Sequence, residues 1–146
     1  ISLPLSENVT WRISPPGSKG DPSQPSVQEM SVKSWINSPL PEDGGQAAGL
    51  VQIHGVAFGG MDAVKGVEVS TDGGKSWQAA RLVGPDLGKY AWRQFVLQAR
   101  LPKGTHVLAS RATDARGRVQ PETRGENQSG YNNTSWADHA VTVTVA

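Results

Sequence analysis

Cysteine is absent from all 146 residues. That single absence removes disulfides, iron–sulfur clusters, thiolate zinc sites and a cysteine nucleophile together. It leaves the compartment open, because a periplasmic protein can do without cystine. Charge is also scarce: 18% of residues are charged and the formal net charge is +1, too little to build the basic field that nucleic acid requires. No apolar run approaches the ~20 residues of a membrane-spanning helix. Residues 1–26 lack the basic start and apolar stretch of a signal peptide. Neither a nucleic-acid partner nor membrane insertion is therefore expected. Long stretches with helical spacing are missing too, although alanine is frequent. What is plentiful is turn chemistry, with 17 glycines and 10 prolines. The length suits one domain, enough to bury roughly two-thirds of the surface of its unfolded chain.

Residues 1–26 read as an extended lead-in. Pro4, Pro15, Pro16, Pro22 and Pro25 interrupt it, and Gly17 to Asp21 is loop chemistry. Leu3, Leu5, Val9, Trp11 and Ile13 are apolar at alternating positions, which fits a strap with one buried face that lies along the sandwich or a partner. Residues 27–146 read as all-β. Strands are expected over Val27–Asn37, Leu50–Phe58, Val64–Thr71, Lys75–Val83, Tyr90–Leu101, Thr105–Asp114 and Asp138–Ala146, where apolar and polar residues alternate. Asp72-Gly73-Gly74 is a hairpin signal between the third and fourth. Residues 119–137 form a long polar connection. About seven short strands with regular turns predict an immunoglobulin-like β-sandwich of the E-set type. Without a cysteine bridge, Trp77 or Trp92 would supply its bulky core aromatic.

No residue pattern points to a reaction centre. His54, His106 and His139 fall on three different expected strands, without metal-ligand spacing. Alternation puts His54 on a polar face, and Asp138 beside His139 on a strand would point the opposite way. Ser70 to Trp77 fits a single Asp-box, whose structural reading has Asp72 capping a tight turn above Trp77. Asp62, Asp72, Asp86 and Asp114 all sit in or beside turns, where aspartate bonds the local backbone, and nothing selects a catalytic pair from them. Catalytic, cofactor-binding and metal-binding residues are all expected to be none.

Six stretches, in order, resemble the C-terminal domain of sulfite oxidases and sulfite dehydrogenases. They are Val27–Ser34 with Ser38-Pro39; Val51–Gly60; Val67–Trp77 with Ala80-Arg81-Leu82; Tyr90–Arg93; Arg111–Asp114 with Gly117 and Gln120-Pro121; and Asn127–Asn133. The resemblance implies an immunoglobulin-like module that packs on a molybdenum domain and mediates dimerisation. It implies a molybdenum cofactor in the parent enzyme and none in this chain, because the metal-ligating cysteine lies in the upstream domain. The chain is accordingly expected to be a fragment or separate subunit, with residues 1–26 as the lead from that domain and residues 27–146 as the dimerisation module. Its expected partners are a second copy, the molybdenum domain, or both. The Gly130-Tyr131-x-Asn133 ending is more similar to bacterial periplasmic enzymes, which implies the periplasm rather than the cytoplasm. Animal and plant members carry Asn-x-Arg-Gly near the end, with the arginine at the substrate anion site. The matching stretch here is Asn127-Gln128-Ser129-Gly130, and Ser129 cannot make a bidentate charged contact. Residues implied at the inter-domain face or substrate rim are Trp11, Arg124, Asn127, Tyr131 and Asn133.

Two other functions compete. A carbohydrate- or cell-surface-binding sandwich would need Trp35, Trp77, Trp92 and Trp136 to line up in the open. A small hydrolase would need a convergent nucleophile, base and orienting group, and the sequence suggests no such set.

Overall fold

The computed structural model describes residues 12–125 and 129–146. Seven strands follow in order: β1 (Lys33–Ser38), β2 (Gly49–Phe58), β3 (Val64–Ser70), β4 (Gln78–Val83), β5 (Arg93–Leu101), β6 (Gly104–Asp114) and β7 (Val141–Val145). A single 3-10 turn, Pro41–Asp43, is the one helical element among the described residues. Every neighbouring strand pair is antiparallel, and the order is β1-β2-β5-β4-β3-β6-β7.

β4 folds this sheet into two layers. Its first half, Gln78–Ala80, pairs with Val69–Val67 of β3, and its second half, Arg81–Val83, pairs with Val96–Gln94 of β5. One layer is therefore β1-β2-β5 and the other β3-β6-β7, with β4 crossing between them. Alternation sends Val51, Ile53, Phe95, Leu101, Val69, Leu108 and Val145 inward, where each buried side chain contributes about 1.5–3 kcal/mol. This is the all-β, immunoglobulin-like sandwich expected from the sequence. The core aromatic is Phe95, fully buried, and not Trp77 or Trp92. Trp92 precedes β5 and is 48% exposed. Trp77 is half-buried outside the core, edge-on to Trp136 at 5.0 Å, with the Arg111 guanidinium 4.2 Å over its ring. Facing Phe95, Gly55 is required: a Cβ there would sit 2.0 Å from the Trp35 carbonyl oxygen and 2.6 Å from the Phe95 ring.

The β3–β4 hairpin is built as its sequence suggests. Gly73 and Gly74 take positive φ values of 72° and 91°. Asp72 accepts from the Ser76 amide (2.9 Å), the Ser76 hydroxyl (2.6 Å) and the Ser70 hydroxyl (2.7 Å). These bonds to the charged form, with those from Ser76 largest, lower its pKa to about 2.

Both outer edges of the sandwich are covered. Gln46 lies parallel to β7, donating to the Thr144 carbonyl (2.9 Å) and accepting from the Ala146 amide (2.8 Å). On the free edge of β1, buried Gln120 acts as a surrogate strand. Its Oε1 accepts from the Ser34 amide (2.9 Å), the Ser34 hydroxyl (2.8 Å) and the Ala112 amide (3.1 Å), while its Nε2 donates to the Ser34 carbonyl (3.2 Å). One amide thus ties the two layers together.

Several boundaries differ from expectation. β1 begins at Lys33 rather than Val27, because residues 27–32 have no ladder partner. β4 and β5 begin three residues late, at Gln78 and Arg93, since the Asp72 turn and a turn centred on Lys89–Tyr90 occupy the residues before them. β7 begins at Val141; His139 sits in the turn before it, not on a strand. In the lead-in, the described part is a loop closed on itself, with Arg12 bridging Ser26 and the Ile13 amide donating to the Pro25 carbonyl (2.8 Å). Leu3, Leu5, Val9 and Trp11 lie outside the described residues.

Candidate functional site

Where β1 begins beside the end of β2 and the start of β5, alternation places Trp35 and Phe58 on the outside of the sheet. Trp92 closes onto both. Its ring lies 4.4 Å from Phe58 and 5.1 Å from Trp35, edge to face in each case, the arrangement that ring quadrupoles favour. Lys33 reaches over Trp35 at 5.6 Å from its centre and donates from Nζ to the Asn133 carbonyl (2.8 Å). Partial burial lowers the pKa of this amine. Residues 27–31 and 130–134 form the walls of the resulting cleft, which encloses about 720 Å³. Met30 (61%) and Tyr131 (62%) stand exposed on its rim beside Trp92. A contiguous aromatic and methionine surface of this kind is the composition that protein interfaces enrich.

The wall carrying Tyr131 is held from behind. Ser135 donates its hydroxyl to the Glu122 carbonyl and its amide to Asn133 Oδ1 (3.0 Å). Trp136 is buried, donates its amide to the Pro121 carbonyl (2.9 Å) and packs on Trp77. Asn133 Nδ2 donates to Asp138 Oδ2 (2.9 Å), and Arg124 Nε approaches the same oxygen at 3.4 Å. Asn132 takes a left-handed φ of 66°, which asparagine tolerates, and turns the chain so that Tyr131 faces out.

Of the residues implied by resemblance, Tyr131 and Asn133 come together in the cleft. Arg124 is linked to Asn133 through Asp138 and is not among the residues lining the cleft. Ser129 is exposed at the start of the same wall. Trp11 and Asn127 lie outside the described residues. The aromatic floor was not foreseen as a group. Its signal is the parity of Trp35 and Phe58 on adjacent strands, which the pairing Trp35↔Val56 turns into one surface.

The other singled-out polar residues have structural partners. Asp114 is buried, which disfavours its charge. Amide bonds from Arg118 and Arg116 and the Arg118 guanidinium (2.6 Å) nevertheless keep its pKa below the usual value. Asp62 pairs with Arg116 and Arg118, and Asp86 with Arg93. His106 contacts the Pro102 carbonyl at 2.8 Å and His139 the Ser135 carbonyl at 2.6 Å, while His54 is exposed on the outer face of β2. Among the described residues no three His, Cys, Asp or Glu side chains gather as a metal site, and no helix is long and apolar enough to cross a membrane. The four described tryptophans do not line up: they form two separate pairs, Trp35–Trp92 and Trp77–Trp136, and Trp136 is buried.

A two-layer sandwich that gathers its exposed aromatics at one end defines an interaction domain. Comparison with known proteins makes this specific. Residues 24–145 match the Mo-co oxidoreductase dimerisation domain, and the chain belongs to that family, as the dimerisation domain of sulfite oxidase-type enzymes. It is 41% identical over 133 residues to the mitochondrial sulfite oxidase of Macaca fascicularis, an alignment covering 85% of this chain and 24% of that protein. With nitrate reductase [NADH] 2 of Phaseolus vulgaris it shares 31% identity, covering 75% of this chain and 14% of that protein. The crystal structure of the sulfane dehydrogenase SoxCD from Paracoccus pantotrophus superimposes with a TM-score of 0.72 at 29% identity, covering 98% of this chain and 39% of that chain. The chain thus spans about a quarter of the length of the sulfite oxidases it matches.

Proposed function

We propose that this chain is the interaction module of a molybdenum-cofactor oxidoreductase acting on sulfite or a related sulfur compound, and that it works by pairing with a second copy and packing on the molybdenum-binding domain. The observation that carries the second contact is the aromatic cleft, with Tyr131 and Asn133 on its wall. A domain that seats there buries Trp92, Tyr131 and Met30, and a few such anchors supply most of the energy of an interface. Asp138 holds Arg124 at the same end of the sandwich, since it also accepts from Asn133. In this reading Arg124 is the cation offered to the substrate rim where Ser129 stands in place of arginine.

The chain's own donors do not suit molybdenum. Ligation through a protein thiolate needs a cysteine, and there is none. The module is therefore read as holding no cofactor and carrying no catalytic centre, with metal and reaction both in the domain it packs against. A periplasmic location belongs to the same reading and is supported by the Gly130-Tyr131-x-Asn133 ending. Titration of the chain with the molybdenum domain of its own enzyme tests the docking. Binding is expected to weaken tenfold or more in Trp92→Ala and Tyr131→Ala. Failure to bind, or unchanged affinity in both variants, would refute it.

A further inference from the structure

Lys33 opens β1 directly across from Phe58, on the same outer face as Trp35. Its amine therefore stands among the rings of the cleft, 5.6 Å from the centre of Trp35. Among the described residues it is the only lysine or arginine that lines the cleft. One of its three N–H donors goes to the Asn133 carbonyl. Among the described residues no carboxylate lies at ion-pair distance from it. The one acid on the cleft wall, Glu29, acts instead on Arg118. Arg93, Arg111, Arg116 and Arg118 each have a carboxylate partner. Lys33 thus carries a charge that its own chain balances only with a neutral carbonyl, and partial burial already disfavours that charge.

We infer that the segment of the molybdenum domain that enters the cleft carries an aspartate or glutamate, whose carboxylate pairs with Lys33 Nζ beside an apolar side chain seated on Trp92 and Phe58. This rests on the docking proposed above and names the chemistry of the group that docks. A seated segment removes the remaining water from the amine. An ammonium taken out of water must then gain a counter-charge or give up its proton. A wholly apolar segment offers no counter-charge, and a basic one repels the amine. A backbone carbonyl repeats what Asn133 already supplies and adds no charge. A carboxylate accepts from both remaining donors and neutralises the cation. The amine is also held in advance, by Asn133 from the wall and against Trp35 from the floor. Good preset geometry is the condition under which a buried ion pair gains more from attraction than it loses in desolvation. The pair confers selectivity as well. The aromatic rings alone accept any apolar segment, whereas Lys33 penalises one that brings no anion to this point.

Calorimetric titration of the full chain with the molybdenum domain of its own enzyme tests the pairing. Performed at neutral pH in two buffers of different ionisation enthalpy, it reads affinity and proton transfer together. Lys33→Met keeps the stem over Trp35 and removes the charge, while Lys33→Arg keeps the charge. Loss of one partner of a buried pair is expected to weaken binding about thirtyfold or more in Lys33→Met, and Lys33→Arg is expected to recover most of that loss. Wild type and Lys33→Met are expected to exchange the same number of protons on binding. Glu29, Tyr131 and His139, the other titratable groups on the cleft wall, are common to both and cancel in the difference. An extra proton released by wild type would mean that Lys33 docks neutral, and would overturn the carboxylate. So would an affinity in Lys33→Met within about threefold of wild type; if Trp92→Ala still weakens binding, the docking itself stands. A wild-type chain that does not bind the domain would overturn both.

Discussion

Replacing Gln120 by methionine preserves the length and bulk of the side chain and removes its amide. The structure sets the consequence. The Ser34 amide, the Ser34 carbonyl and the Ala112 amide all bond to that one group inside the sandwich. The Ser34 hydroxyl keeps Ser110 as a partner at 3.0 Å, so it is spared. Three buried backbone groups are left unsatisfied, each costing about 1–3 kcal/mol. Because they share one site and relax together, the total is taken at the low end, about 3–5 kcal/mol. That is a large share of the ~5–15 kcal/mol that holds an average domain folded. Urea unfolding followed by tryptophan fluorescence should show the midpoint fall by about 1–2 M with an unchanged slope. A fall below about 0.3 M would refute the reasoning, because it would mean that water or a shifted strand satisfies these groups without the glutamine.

Two further outcomes follow from local geometry. Gly55→Ala forces a Cβ into the Trp35 carbonyl and the Phe95 ring at once; it should cost about 3 kcal/mol or prevent folding, read from soluble yield and the unfolding midpoint, and a loss under about 1 kcal/mol would show that β1 can move aside. Asp72 has a folded pKa of about 2, below its ordinary 3.8. Its bonds therefore stabilise the fold fully above about pH 4, and this contribution is lost as pH falls from there towards 2. Asp72→Asn should flatten the decline in urea midpoint between pH 4.5 and 2.5; an unchanged decline would mean that other carboxylates account for it.

Much of the fold was legible in the sequence, because a strand reports itself locally. Val51, Ile53 and Ala57 against Gln52 and His54 state which side of β2 is buried, and the burial follows that alternation. Asp72-Gly73-Gly74 names its own turn, since the backbone there needs positive φ and a carboxylate acceptor. The family too was readable from ordered motifs. The site was only partly so. Tyr131 and Asn133 were singled out, but the floor they stand over was not, because Trp35, Phe58 and Trp92 come from three separate stretches of chain. Trp92 read as a core residue by its size alone, yet its place just before β5 leaves it outside and gives the core to Phe95. Gln120 looked like a residue of a polar connection, and its partner Ser34 lies 86 positions away. The crossing of β4 between layers was equally hidden, since its residues alternate the same way whichever neighbour they pair with. The period of a strand depends on adjacent residues and was settled by the sequence. Which strands stack, which loop reaches which edge and which outward side chains become one surface depend on contacts distant in sequence, and those were decided only by the packing of the two layers.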